Sequence, residues 1–304
     1  MELRDIRYFV VVAEHKNIGR AAEALGLSAT ALSKSLRRLE KSVGGKLILG
    51  SPKGVALTTV GAALLTRIRP LQGMLSDVRH EAAELAQGAT GHIDVGASSG
   101  DAESFLADAC VVLSREAPQV TYKASVLLHL GLDDALLKGT MDFCVADAKA
   151  FPAVDYVHEK LYDDPFVVYA ASNHRLARRK NVAIADLAQE RWASTSPFLA
   201  LQWQQLILAF AGHGLPPPKL ALQTNSQVIR NSAIAHSDYL GVSSRQFFMR
   251  ESQTRRLIEI PVKELTNERH MAVIYRKGAY ISPVARRMID VLKRLIMPKS
   301  RARV

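Results

Sequence analysis

The side chains best suited to chemistry in this chain are cations and hydroxyls gathered in RAAEALGLSATALSKSLRRLEK, Arg20 to Lys41. Drawn as a helix at about 100° per residue, the second half puts Thr30, Lys34, Arg37, Arg38 and Lys41 on one face. Leu32, Leu36 and Leu39 fall on the other. A leucine face packed inward leaves a cationic face outward. Cations on such a face can meet phosphates, and the small or hydroxyl-bearing residues at the helix start, Ser28, Ala29, Thr30 and Ser33, can approach base edges. A charge run is by default a solvated surface, so the surrounding elements have to decide.

Those elements point the same way. Ile6, Phe9, Val10 and Ala13 recur at helical spacing and predict a first amphipathic helix. A second carries Ala21, Ala22 and Leu25. Gly26 can take the positive φ that ends it. Leu27 offers an apolar plug, and Ser28 is a good N-cap for the third helix. Two short helices about a tight glycine turn, with small residues opening the second, are what a helix entering the major groove needs. Leu47–Leu49 and Val55–Leu57 read as two short strands around the turn Ser51-Pro52-Lys53-Gly54, a wing with Lys53 at its tip. From Met1 to Thr58 there are ten Lys/Arg against five Asp/Glu, a net of +5. The expected reading surface is Ala29, Thr30, Ser33 and Lys34 nearest the bases, with Arg20, Arg37 and Lys53 nearer phosphates of double-stranded DNA.

The stretch LRDIRYFVVVAEHKNIGRAAEALGLSATALSKSLRRLEKSVGGKLILGSPKGVALTTVG resembles the N-terminal domain of LysR-type transcriptional regulators. The resemblance spans the first helix, the helix-turn-helix, the wing and the Leu57-Thr58…Gly61 entry to a linker helix. This chain departs from the family where Gln-Pro or Gln-Ser usually follows the serine: it has Ala29-Thr30. Glutamine can bond adenine through two contacts and alanine cannot, so a different half-site is expected. Gly50 replaces a charged residue common at the wing.

After Thr58, a natural N-cap, come Leu64, Ile68, Leu71, Leu75, Val78, Ala82 and Leu85, spaced 4, 3, 4, 3, 4, 3. That is a heptad seam. With little neighbouring core to cover it, a partner helix from a second copy is the expected occupant, the alternative being a core of its own domain. The resemblance also implies assembly through this helix, as a homodimer or homotetramer.

From His92 the pattern alternates strand and helix: HIDVGAS, SFLADACVVLSREAP, QVTYKASVLL, DDALLKG, MDFCVAD and onward to MAVIYRKG and SPVARRMIDVLKRLI. Such alternation predicts a parallel α/β sheet. The resemblance implies an effector domain of two Rossmann-like subdomains, like type 2 periplasmic binding proteins, with crossings near Asp163–Phe166 and Thr266–His270. The fold class expected is therefore α+β multidomain: a winged helix-turn-helix over 1–58, a linker and dimerisation helix over 59–90, and an α/β effector domain over 91–304. Its subdomain I takes about 91–164 and 269–304, and its subdomain II about 165–268. Ligands in such sheets sit beyond the carboxyl ends of strands, beside helix N-termini. That singles out Ser98, Ser99, Gly100, His129, Ser194, Thr195, Ser196 and Asn225 as effector-binding candidates, each also explicable as an ordinary N-cap. These short segments hold no Lys or Arg, so a small, singly charged or neutral polar effector is expected. The family's late Gly-x-x-x-x-Pro-like segment is here Gly241-Val242-Ser243-Ser244, without the proline.

Bulk properties agree. The 304 residues carry a formal charge of +11, which favours polyanions such as nucleic acid or anionic membrane. Cys110 and Cys144 suggest neither a disulfide framework nor a zinc site, and no cofactor or metal is expected. The opening MELRDIRYFVVVAEH lacks the apolar run of a signal peptide, and no stretch approaches the ~18 apolar residues of a membrane span. A cytoplasmic protein with no membrane partner is expected. The nine histidines are scattered, and no HExxH, GxSxG, Walker loop or GxGxxG occurs, so an enzyme is not expected. The function expected is a DNA-binding regulator responding to a small-molecule effector; the alternative is an effector-independent repressor or architectural protein.

Overall fold

The N-terminal helices form where capping groups and an apolar stripe coincide. The computed structural model describes residues 1–51, 54–87, 91–98, 100–194, 201–265 and 269–296. Helix α1 (Leu3–His15) buries Phe9, Val10 and Val12. Helix α2 (Ile18–Ala24) starts at Asn17, whose side chain accepts the Arg20 N–H at 3.0 Å. Gly26, at φ +65°, turns the chain in a conformation that L side chains rarely adopt. The Ser28 hydroxyl then accepts the Ala31 N–H at 3.1 Å and opens α3 (Ala29–Val43), which buries Leu32, Leu36 and Leu39. Strands β1 (Ile48–Ser51) and β2 (Gly54–Leu57) pair antiparallel from Ile48↔Leu57 to Ser51↔Gly54, forming the expected wing. Its tip residue Lys53 lies outside the described residues. The Val55 N–H bonds the Lys16 carbonyl at 2.8 Å and fixes the wing to the end of α1.

Helix α4 (Thr59–Gln87) is capped by the Thr58 hydroxyl, which accepts the Gly61 N–H at 2.9 Å. Gly61 must be glycine, since a Cβ there would lie 2.1 Å from the Leu47 carbonyl oxygen. The heptad seam divides along its length, and this corrects part of the sequence reading. Ile68 is only 2% exposed and belongs to the core of Phe9, Ala21, Leu32, Leu39 and Leu47, with Leu64 packed against it. The shared core of the N-terminal helices and Leu47 takes up these two residues, so they do not need a second copy. Leu71 (50%), Leu75 and Val78 (62%) stay exposed, and Met74 joins them. The side chain of Leu85 lies outside the description. The chain divides into two compact units, Met1–Asp77 with Leu137–Gly139, and Val78–Leu136 with Thr140–Val304.

The second unit holds two five-stranded sheets. The first has the order β4-β3-β5-β12-β6, from β3 (His92–Ala97), β4 (Thr121–Val126), β5 (Phe143–Asp147), β6 (Tyr156–Asp163) and β12 (His270–Arg276). Its apolar face is covered by α5 (Gly100–Glu116) and α10 (Pro283–Ile296), the latter burying Ala285, Met288, Ile289, Val291 and Leu292. Helix α6 (His129–Lys138) connects β4 to β5. The second sheet has the order β11-β7-β10-β8-β9, from β7 (Phe166–Ala171), β8 (Arg191–Ser194), β9 (Lys219–Gln223), β10 (Tyr239–Ser244) and β11 (Leu257–Ile260). Helix α7 (Leu201–Gly212) covers one face with Trp203, Leu206 and Phe210. Helices α8 (Gln227–Ala235) and α9 (Arg245–Thr254) cover the other through Ile234 and Phe248.

Neither sheet is purely parallel, which corrects the expectation from strand–helix alternation. β3, β4 and β5 run parallel, as do β8, β9 and β10, but β12 is antiparallel to β5 and β6, and β7 is antiparallel to β10 and β11. The reason is the double crossing. A strand that arrives from the other sheet enters at the carboxyl ends of the parallel strands and must run against them.

Candidate DNA interface and effector cleft

The outward face of α3 is assembled by its inward one. With Leu32, Leu36 and Leu39 buried, Ala29, Thr30, Lys34 and Arg37 are exposed and Ser33 is half-buried. Arg20 and Ser28 are exposed beside them. Lys34 and Arg37 enter no ion pair among the described residues, so both charges are free for an anion.

Arg38, grouped with these cations by helix angle, has a different role. Its Nε donates to Asp5 Oδ2 at 2.6 Å and its Nη2 to Asp5 Oδ1. Ser35 also donates to Asp5, whose carboxylate is fully buried. The guanidinium beside Asp5 holds its carboxyl below the usual range, against the opposing effect of burial. This network ties α1 to the inner edge of α3. A second acid sets the far end: burial alone would raise the Glu40 carboxyl, but Lys46 Nζ at 2.8 Å and the Leu47 N–H at 3.0 Å hold it low. Neither acid stood out in the sequence, because what buries each of them is a partner on another element.

In the second unit, the carboxyl ends of the parallel strands and the helix starts lie where the chain crosses between the sheets. Ser98 follows β3 and its N–H bonds the Val145 carbonyl at 3.2 Å, with Gly100 opening α5. His129 opens α6, exposed, with its ring edge-on to Phe151 at 4.7 Å. Ser194 ends β8 almost fully buried, and its hydroxyl has no partner among the described residues. The Ser194 carbonyl accepts the Thr224 N–H at 3.0 Å, bringing the ends of β8 and β9 together. Asn225 is exposed, and the cap of α8 is its neighbour Ser226, accepting the Ile229 N–H at 3.3 Å. Ser99, Thr195 and Ser196 lie outside the described residues. Ser244, in the Gly241–Ser244 segment that lacks the family's proline, caps α9 by accepting the Phe247 N–H at 3.2 Å.

The crossings are fastened by a buried pair. Arg269 Nη1 lies 3.3 Å from Asp164 Oδ2, the Asp164 N–H bonds the Arg269 carbonyl at 3.0 Å, and the Gln246 N–H reaches Asp164 Oδ1 at 3.0 Å. The Arg269 guanidinium also stands 4.6 Å over the Phe166 ring. A second buried cation is less well served. Arg230, in the first turn of α8, is 1% exposed, and its Nε and Nη1 have no partner among the described residues. The short candidate segments hold no cation, and Arg230 stands just beyond them. The signal was available, because counting back four from the apolar Ile234 puts residue 230 on the inward stripe. A depression of about 260 Å³ beside α7 touches Phe166, Gln202, Gln205 and Leu265, but not Arg230. That figure includes space open to solvent, so the depression does not define the site.

No helix among the described residues is long and apolar enough to cross a membrane, and no cluster of described His, Cys, Asp or Glu could hold a metal ion. Residues 3–62 match the family model for the bacterial regulatory helix-turn-helix protein, lysR family, and residues 86–296 match that for the LysR substrate binding domain. The chain is 26% identical over 287 residues to the HTH-type transcriptional regulator YnfL of Escherichia coli (strain K12), covering 94% of this chain and 96% of that one. It superposes on the crystal structure of CbnR, a LysR family transcriptional regulator, with TM-score 0.60 and 17% identity, over 98% of this chain and all of that one. Against full-length CbnR complexed with its target DNA, the TM-score is 0.58 at 18% identity, over 97% and 99% of the two chains. An N-terminal helix-turn-helix with a free cationic face, joined to two crossed α/β sheets and matched by both family models, makes this chain a member of the LysR family of transcriptional regulators, with a substrate-binding effector domain.

Proposed function

We propose that this protein binds operator DNA as a homo-oligomer and changes that binding when a small molecule enters between its two effector subdomains. The observation that carries the DNA reading is the free cationic face of α3: Lys34 and Arg37 exposed without ion-pair partners, behind a capped start of small residues. Ala29, Thr30, Ser33 and Lys34 face base edges, and Arg20, Arg37 and Lys53 face phosphates, with Ser28 fixing the helix start. CbnR, one of the solved relatives, binds its target DNA, which supports the same use of this fold here. Exposed Leu71, Met74, Leu75 and Val78 give α4 an apolar strip that a second copy would cover. A pair of reading heads then gains from effective concentration on two half-sites. The effector acts by binding two arrangements of the subdomains unequally. As functional units, 1–58 reads DNA, 59–90 assembles, and 91–304 senses.

The test is genome-wide mapping of bound DNA, followed by operator binding with purified protein. Lys34→Ala is expected to lose about 1–3 kcal/mol on the cognate site and to relax specificity at one position. An unchanged affinity in a folded variant sinks the assignment of α3.

A further inference from the structure

Arg230 is a buried cation with no ion pair among the described residues, its guanidinium reaching only the neutral Tyr169 hydroxyl. Its guanidinium is permanently charged, yet Nε and Nη1 are both shielded from solvent and without a partner among the described residues. The acid in the same network, Glu251, is already engaged by Asn231 Nδ2 at 2.9 Å and Arg255 Nε at 3.1 Å. Tyr169, packed against the same helix, donates its hydroxyl to Asn231 Oδ1 at 2.7 Å. Burying an unpaired charge is strongly unfavourable. An apolar residue would serve better on the inward stripe of α8 if packing were the only demand.

The position gives the reason. Arg230 lies in the first turn of α8, and helical side chains lean toward the N-terminus of their helix. This first turn follows Ser226 and the joined ends of β8 and β9, where the Thr224 N–H bonds the Ser194 carbonyl. Gln227, three residues earlier and so on the same face, has a buried Oε1 with no partner among the described residues, and the buried Ser194 hydroxyl at that end of the sheet has none either. The α8 N-terminus adds partial positive charge. The other arginines near this end are neutralised: Arg269 by Asp164 and Asp147, and Arg245 by both Glu259 oxygens at 2.8 and 3.0 Å.

We propose that Arg230 is the anion-recognising residue of the effector cleft and receives the carboxylate of a small monocarboxylic acid, with Gln227 offering bonds to polar groups beside it. One uncompensated charge selects a monoanion, since a dianion would bring a second charge with no cation to meet it. The assignment rests on the reading above that the effector binds at the strand ends. Because the guanidinium is closed off from solvent, the acid reaches it only as α8 and its neighbours part, which gives the ligand a preference between two arrangements.

The test uses the full chain at about pH 8.5, with acetate, lactate and benzoate as probes, each against its amide, and inorganic phosphate, there mostly doubly charged, as the dianion. Thermal shift and calorimetry are read on wild type, Arg230→Met and Arg230→Gln. The expected result is stabilisation of wild type by at least one carboxylate, not by its amide or by phosphate. In both variants binding falls at least tenfold, about 1.4 kcal/mol. Without ligand, Arg230→Met melts no lower than wild type, because an unpaired charge has been replaced by an apolar stem. The proposal is overturned if no carboxylate stabilises wild type, if the response survives in the variants, or if both variants melt well below wild type without ligand. Operator binding separates the two readings. A carboxylate that binds through Arg230 and leaves DNA affinity unchanged refutes the effector role but keeps the anion site. A neutral molecule that moves DNA affinity equally in wild type and Arg230→Met keeps the effector role and refutes the anion site.

Discussion

Arg37 and Arg38 are neighbours in sequence, and the structure gives them opposite tasks, so substituting each in turn should separate stability from DNA affinity. Arg38→Ala removes two charge-assisted hydrogen bonds to the buried Asp5 carboxylate and leaves only Ser35 to satisfy it. Such bonds contribute roughly 1.5–3 kcal/mol each, and stranding a buried charge by removing its partner costs about 3–5 kcal/mol. Arg38 is itself 47% exposed, so solvent screening discounts the pair, and Asp5 can protonate. A loss of about 2 kcal/mol is expected in urea unfolding of the full chain followed by circular dichroism. The pH dependence supplies a second reading. The Asp5 carboxyl is depressed in the folded state, so its contribution is present above the usual aspartate range and lost as pH falls through that range and below it. In Arg38→Ala this acid-side loss should flatten. Arg37→Ala should leave unfolding unchanged and make the slope of log affinity against log salt shallower by about one unit. If Arg38→Ala unfolds like wild type, or Arg37→Ala leaves the salt slope intact, the division of labour on α3 is wrong.

Three other perturbations test separate parts of the molecule. Gly61→Ala places a Cβ 2.1 Å from the Leu47 carbonyl oxygen, and backbone cannot yield there, so a loss of about 1–3 kcal/mol is expected in denaturant unfolding. Leu71→Asp puts a carboxylate on the exposed strip of α4; sedimentation should show a smaller assembly and operator affinity should fall with it, whereas an unchanged oligomer would mean the strip is covered otherwise. Glu159, bonded by Lys293 and Arg286 at 2.5 Å and Tyr275 at 2.7 Å, is held down to about 2 although burial opposes this. Its contribution is therefore present above the usual glutamate range and lost as pH falls toward 2. Glu159→Gln should remove about 1–2 kcal/mol near neutral pH, after allowance for its exposed partners, and flatten the acid limb of the stability curve.

The helix-turn-helix was legible because its signals are local. Ser28, Gly26 and the Leu32/Leu36/Leu39 stripe act within a few residues of one another, and each does in the structure what its chemistry suggests. The role of Arg38 was not legible. Residues 100° apart on one helix look alike until a second helix arrives, and Asp5 reaches Arg38 from α1 across 33 positions of sequence. The α4 seam shows the same limit. A heptad period says that Leu64, Ile68, Leu71 and Leu75 share a face, but not what covers it. The core of the N-terminal unit takes up the first two, leaving Leu71 and Leu75 exposed.

In the second unit the alternation of strand and helix was plain, while the directions of β7 and β12 and the existence of β6, α9 and β11 were not. β6 reads YVHEKLYD, with mixed polarity at a sheet edge, and α9 buries only Phe248 among its described residues, so neither has a strong apolar period. Buried charges are hidden more deeply, because a pattern of apolar spacing treats any arginine as surface. Asp5, Arg269 and Arg230 are examples among the described residues. Asp5 is balanced by Arg38, and Arg269 by Asp164 and Asp147. A balanced pair can be accounted for by the fold alone. Arg230 differs because the guanidinium nitrogens left open have no described acceptor. Local rules of burial are expected to fail first where function requires it, and here the failure is a single unmatched charge beside the strand ends of the effector domain. A balanced charge and an unmatched one look identical in sequence, and they separate only when every potential acceptor around the side chain has been placed.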